Sequence, residues 1–183
     1  MPDQRKNIRS LPQNIQTNQE LIAEAMELGC RRAKVVSTNS IALGSWVHLQ
    51  CQFGCSHYGK LLTCPPCSPT SSETSEILME YKKALLIQGK NSKDMQSITS
   101  GLETIFKKKG FYKAFAFSAA PCDLCSPCTV ETQCQYPEKA RPTLQACGID
   151  VRGTLSNNGW GDSSAAQAAP CSPSNDITMV LID

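Results

Sequence analysis

The sequence has no apolar run that approaches the roughly 20 residues needed to cross a bilayer. Its first 20 residues, MPDQRKNIRSLPQNIQTNQE, contain no apolar core of a secretory signal peptide. An excess of one charge is also missing, because 18 basic residues nearly balance 16 acidic ones, and this argues against a nucleic-acid-binding surface. We therefore expect a soluble cytoplasmic protein with neither a membrane nor a nucleic acid as partner.

Nucleotide-binding signals are also scarce. Aromatic residues make up only 6% of the chain. Gly153 and the Gly159-Trp160-Gly161 segment do not form a G-x-G-x-x-G loop after a strand. The sequence thus gives no sign of a nucleotide or flavin cofactor.

The length of 183 residues suits one domain with a sizeable hydrophobic core. We predict a flexible segment over residues 1–16 and a single α/β metal-binding domain over 17–183, with cysteine-rich loops at 51–67 and 122–134. The expected fold is α/β, with α+β as an open possibility, in which about three helices pack on a layered sheet.

Apolar periodicity and capping signals locate the predicted elements. Capping boxes at Thr17–Glu20 and Thr70–Glu73 precede two of the predicted helices. The predicted helices cover residues 18–28 and 72–83, and a third begins at Asp94. The predicted strands cover 33–37, 45–50, 84–88, 111–118 and 177–182, and a long loop is expected over 154–175.

Eleven cysteines are the feature that the sequence has in excess. A reducing cytosol disfavours disulfides, and an odd count would leave one thiol over in a purely disulfide framework. Metal ligation or redox chemistry is the remaining common explanation for so many cysteines.

The second cysteine group has the more informative spacing. Cys122, Cys125 and Cys128 form C-x2-C-x2-C, and Cys134 follows in the frame C-x5-C-x2-P. Two-residue gaps let consecutive thiolates surround one face of a compact cluster, and bacterial ferredoxins use the same opening. Zinc sites normally need only pairs of C-x2-C, so the third cysteine favours an iron–sulfur cluster, with zinc as the alternative.

The first group consists of Cys51, Cys55 and Cys64, with Cys67 behind two prolines. Its irregular gaps indicate a metal site without identifying the metal. The prolines favour an extended backbone, which would direct Cys67 away from the other thiols. His57 lies between two of these cysteines, but enough thiols are present without it, and we interpret it as a loop side chain.

The remaining three cysteines lie outside both groups. Free cysteine packs as a small hydrophobic residue, so we interpret Cys30 and Cys147 as packing residues and Cys171 as a loop thiol.

The segments CQFGCSHYGKLLTCPPCSPTSSET and CDLCSPC…C…P…RP…GIDV together resemble a family of bacterial and archaeal proteins described as predicted metal-binding proteins, DUF2284. The resemblance covers residues 20 to 155, with weaker similarity in the final strand. It implies an iron–sulfur metal centre held by the positions that coincide with the family's cysteines: Cys51, Cys55, Cys64, Cys122, Cys125, Cys128 and Cys134. Arg141-Pro142 and Gly148-Ile149-Asp150-Val151 also match, and we interpret Asp150 as a turn carboxylate before a short strand.

Three functions remain open at this point. In the first, one or two [4Fe–4S] clusters serve electron transfer with a redox protein as partner. In the second, a cluster held by only three cysteines keeps an open iron position, as an enzyme requires. In the third, zinc organises a structural module that binds a partner protein.

Overall fold

The computed structural model describes residues 18–90, 92–161 and 176–183, which form a four-stranded sheet flanked by helices on both faces. In chain order the elements are α1 (Asn18–Glu27), β1 (Arg32–Ser37), α2 (Trp46–Gly54), α3 (Ser71–Met79), β2 (Lys83–Gln88), α4 (Ser92–Lys108), β3 (Phe115–Ala116), α5 (Val151–Asn157) and β4 (Ile177–Leu181), with short 3-10 helices at Thr38–Ser40 and Gln145–Cys147.

The strands lie in the order β1-β2-β4-β3, and each neighbouring pair is antiparallel. β2 is central and almost wholly buried, as its apolar ALLI run requires of a strand covered on both faces. Antiparallel pairing makes the fold α+β, the possibility that the sequence left open beside α/β.

Alternate side chains of β2 enter two separate cores. Leu85 and Ile87 pack with α1 and α4, where Leu21 and Leu102 are fully buried. Leu86 faces the opposite way, into a core that includes Leu78 of α3 and Leu155 of α5. The long connections that carry the cysteine groups lie on this second side.

The structure confirms five of the predicted elements. α1, β1, β2 and β4 each have one boundary shifted by one residue, and the third predicted helix is α4, which begins at Ser92 rather than at Asp94. The capping box at Thr70 and Glu73 is also confirmed at the start of α3. That helix ends at Met79 rather than at residue 83, because the chain turns at Glu80 and enters β2. The predicted segment 1–16, the Thr17 cap, Cys171 and most of the predicted loop lie outside the described residues.

One predicted strand was wrong, and another was too long. Residues 46–50 belong to α2, with Ser45 at its N-cap, and Val47 and Cys51 are buried one helical turn apart. Residues 111–118 contain only the two-residue β3. Tyr112, three residues before β3, is 80% exposed, because the chain passes through turns between α4 and β3.

The region after Gly148 was also predicted wrongly. Residues 151–157 form α5 instead of a short strand and a loop. Asp150 caps this helix, since its Oδ1 accepts a hydrogen bond from the Gly153 N–H at 3.0 Å. Of the helices that the structure describes, none is long and apolar enough to span a membrane.

Candidate metal centre

Helix α2 positions the first cysteine group. Cys51 is buried on its inner face, and its thiol lies 4.0 Å from the carbonyl oxygen of Gln145. The helix ends at Cys55, whose N–H donates to the Cys51 carbonyl at 3.2 Å. Cys64 follows in a series of turns and is buried as well.

The structure brings the three cysteines of this group together. Cys51, Cys55 and Cys64 line one small cavity of about 10 Å³. Gln145 and Ala146, from the 3-10 helix, line its other side. The irregular C-x3-C-x8-C spacing therefore produces one site, with a helix supplying the first cysteine and the following turns supplying the last.

Both histidines lie beside this site. His48 Nε2 is 3.0 Å from the Ala146 carbonyl oxygen, which also accepts a hydrogen bond from Ser68 Oγ at 2.6 Å. His57 Nδ1 lies 3.7 Å from Cys55 Sγ. Cys55 is disulfide-bonded in this structure, so it becomes available as a thiolate ligand only after reduction.

The second group occupies the connection between β3 and the 3-10 helix. Its four cysteines are all partly exposed: Cys122, Cys125, Cys128 and Cys134. Desolvation raises the pKa of Cys122 and of Cys125, and neighbouring thiols of the same group, those of Cys128 and Cys134, raise both further. The four sulfurs therefore lie within electrostatic reach of one another, as ligands of one cluster must.

Cys64 links the two groups. Burial is the main reason that its pKa is raised to about 11, and the thiols of Cys51, Cys122 and Cys128 raise it further. The Thr63 hydroxyl lies close enough to lower this pKa, although it completes no hydrogen bond of normal geometry. The two motifs, distant in sequence, thus form one cysteine-rich region.

Among residues 18–90, 92–161 and 176–183, no group of three or more His, Cys, Asp or Glu side chains is arranged so that it could hold a metal ion. The donor set itself fits zinc or an iron–sulfur cluster, because soft thiolates select these metals.

Glu103 anchors the second group to the core, and sequence reasoning missed it. Its carboxylate, 5% exposed, accepts hydrogen bonds from Arg141 Nη2 at 2.6 Å and Arg141 Nε at 2.8 Å. It also accepts from Lys107 Nζ at 2.6 Å and from the N–H of Ala116 at 2.8 Å. Burial raises the pKa of this carboxyl, but these hydrogen bonds outweigh burial and leave the pKa below its usual value.

The signal for this anchor was present only in part. Arg141 belongs to the RP dipeptide of the second motif, but nothing in the sequence indicates that its partner lies 38 residues earlier. Arg141 Nη1 also donates to the Ala140 and Pro137 carbonyls at 2.7 and 3.0 Å. The guanidinium therefore fixes the end of the cysteine loop to α4.

The remaining cysteines of the described residues occupy different surroundings. Cys67 is exposed, unlike Cys64, so the two thiols do not share one environment. Cys147 is buried, and burial with the nearby thiols of Cys64 and Cys51 raises its pKa to about 12. Cys30 lies in the other core, where its thiol is 3.5 Å from the sulfur of Met26.

Comparison with known proteins gives one match. Neither a curated protein nor a solved structure matches the chain. The sequence profile of one family, described as "Predicted metal-binding protein (DUF2284)", matches residues 34–182 and so includes both cysteine groups. On that match, which spans most of its length, the chain belongs to the DUF2284 family of predicted metal-binding proteins.

Proposed function

We propose that this protein is a cytoplasmic iron–sulfur protein that acts in electron transfer. The observation that carries the proposal is the second cysteine group, whose C-x2-C-x2-C cysteines and Cys134 are all partly exposed and lie in one connection without helix or strand. Cys122, Cys125, Cys128 and Cys134 would hold one [4Fe–4S] cluster. Cys51, Cys55 and Cys64 would hold a second.

The sequence spacing of the second group supports a cluster over a zinc ion. Bacterial ferredoxins use the same C-x2-C-x2-C opening, whereas zinc sites normally need only pairs of C-x2-C. Partial exposure of the second group also suits electron transfer, since a redox partner can approach the cluster closely.

The decisive experiment is anaerobic purification followed by iron, zinc and sulfide analysis and a visible spectrum. We expect a brown protein with iron and acid-labile sulfide that bleaches on reduction. Stoichiometric zinc without sulfide would contradict the proposal.

One observation favours zinc as the second candidate. The cavity between Cys51, Cys55 and Cys64, at about 10 Å³, has room for a single atom but not for a cluster unless the side chains move. In this case the metal would fix the first group to α2 and stabilise the fold without chemistry. The same metal analysis distinguishes the two candidates.

A surface beside the first group supports a redox protein as partner. Trp46, Leu49 and Phe53 lie on the outer face of α2 and are 50%, 55% and 80% exposed. Positions i, i+3 and i+7 form one apolar stripe on a helix. The stripe lies on the same helix as Cys51, so a protein that covers it comes close to the proposed cluster.

This partner proposal is tested with reduced ferredoxin as electron donor. Phe53→Asp should slow reduction by ferredoxin at least tenfold and leave reduction by dithionite unchanged, because only the protein donor needs the stripe. Tyr112→Asp is the matched control, since Tyr112 is also 80% exposed but lies after α4. Equal ferredoxin rates in both variants would refute docking at α2.

A further inference from the structure

A second and much larger cavity lies between α3, β3 and the loop of the second cysteine group. Its volume is about 430 Å³, within the range of about 300–1,000 Å³ typical of small-molecule sites. Tyr81, Phe115 and Phe117 supply aromatic walls, and the prolines at 69, 137 and 142 contribute further apolar surface.

The cavity has a distinct mouth and floor. Cys67, Ile77 and Pro137 line it and are exposed, so they surround its opening. Phe117, Thr74 and Cys147 also line it but are buried. A ligand that enters past Ile77 would reach side chains that are otherwise shielded from solvent.

The Thr74 hydroxyl on this floor has no hydrogen-bond partner. Thr74 is only 1% exposed, and its Oγ1 makes no hydrogen bond. Two threonines of α4 bond instead to the carbonyl one turn earlier, Thr99 to Met95 at 2.6 Å and Thr104 to Ser100 at 2.9 Å. A buried hydroxyl left unpaired is destabilising, so it indicates that a partner from outside the chain completes the site.

Charge restricts the chemistry of that partner. None of the described residues that line the cavity carries a charged side chain. Two basic groups beside the aromatic walls are already engaged, since Lys113 donates to the Glu80 carbonyl and Arg141 pairs with Glu103. An ionic ligand would have to lose its hydration without gaining an opposite charge.

We propose that this cavity binds a small, neutral, mainly aromatic molecule whose carbonyl or hydroxyl oxygen hydrogen-bonds with Thr74. The aromatic walls recognise the ring, and the threonine fixes its orientation. Cys134 also lines the cavity, so a bound molecule lies against the second cysteine group. Binding itself does not depend on which metal that group holds.

The test uses the fluorescent ketone 6-propionyl-2-(dimethylamino)naphthalene, whose emission shifts to the blue in apolar surroundings. We expect saturable binding with a blue shift by the purified full-length protein. Ile77→Trp should weaken binding at least tenfold by blocking the mouth. Met79→Trp, which adds the same side chain to the same helix at a 76% exposed position outside the cavity, should change affinity less than twofold. Absence of binding, or equal affinity in the two variants, would overturn the proposal.

The role of Thr74 has a separate test. Thr74→Val removes the hydroxyl at nearly constant shape and should weaken binding of the ketone about fivefold to tenfold, while binding of 2-(dimethylamino)naphthalene, which lacks the carbonyl, stays the same. The thermal stability of the ligand-free protein should be unchanged or higher, because no hydrogen bond is lost. Tighter binding of the anionic dye 8-anilinonaphthalene-1-sulfonate than of the ketone would show that the site is not selective for neutral molecules.

Discussion

Cys125 is the middle member of the tightest cysteine run, and its closest neighbours in the chain are themselves proposed ligands. Cys125→Ser should therefore lower the metal content of purified protein about twofold, through loss of one of the two proposed clusters, because serine is a poor ligand for a soft metal. Metal analysis after anaerobic purification measures this. Cys30→Ala is the control, since Cys30 packs in the opposite core, and we expect it to retain wild-type metal content. Equal loss in both variants, or in neither, would contradict the ligand assignment.

Cys67 decides whether the first group is a closed or an open site. It is exposed and lines the large cavity, whereas Cys64, three residues earlier, is buried beside Cys51. Cys67→Ala should therefore leave metal content within about 10% of wild type, a margin set by the measurement. Added cyanide or small thiols should perturb the paramagnetic resonance of the reduced protein, because a site with three cysteines keeps one open position. Loss of metal in Cys67→Ala, with a spectrum insensitive to added ligands, would make Cys67 a ligand and the site closed.

The pair Glu103 and Arg141 joins an element to a loop. Arg141→Met leaves the buried Glu103 carboxylate without its main partner, so at pH 7 it should lower the free energy of unfolding by about 3 kcal/mol in urea denaturation. Lys107→Met, which removes a 44% exposed partner of the same carboxylate, should cost less than about 1 kcal/mol. Similar losses in the two variants would mean that the guanidinium does not anchor the loop.

The pH dependence of this pair follows from the lowered pKa of Glu103. A carboxyl whose pKa is lower in the folded than in the unfolded protein stabilises the fold. This contribution is complete at pH values above the unfolded pKa, near 4.5, and it is lost as the pH falls toward the folded pKa. In Arg141→Met the buried carboxylate keeps only Lys107 and the Ala116 N–H as partners, so protonation relieves part of the cost of burying its charge. The difference in unfolding free energy between wild type and variant should thus shrink as pH falls from 7 to 4. A difference that stays constant would exclude the carboxylate as its origin.

Element prediction from the sequence worked where one periodicity dominated. The apolar runs of β2 and β4 and the spacing of α1 were sufficient, because burial on both faces or on one stripe leaves a clear pattern. It failed at residues 45–50, where six residues of alternating character fit a strand as well as a helix. Cys51 would have resolved the ambiguity, because it is buried one helical turn after Val47, but its role as a candidate ligand obscured its role in the core.

The candidate site could be predicted from the sequence only within each motif. The short gaps between cysteines already imply that each group is local. The antiparallel sheet determines how α4 lies beside the loop. The proximity of Cys64 to Cys122 and Cys128 depends on this arrangement, and so does the hydrogen bond from Arg141 to Glu103. Strand order and direction arise from long-range pairing, which a single sequence does not encode in any local pattern.

For the whole molecule, the sheet and the cysteine loop differ in what stabilises them. Both faces of the sheet have an apolar core, while residues 121–142 contain no helix or strand and are held by the Arg141 anchor and the proposed metal centre. Removal of the metal with a chelator under reducing conditions should therefore lower the melting temperature by about 10 °C, which corresponds to about 3 kcal/mol for a domain of this size. Hydrogen exchange should quicken across the cysteine loop, while amides of β2 and α4 stay protected, because their core needs no metal. Uniform loss of protection across the sheet would show instead that the metal stabilises the entire fold. Unchanged exchange in the loop would show that the metal does not stabilise the loop.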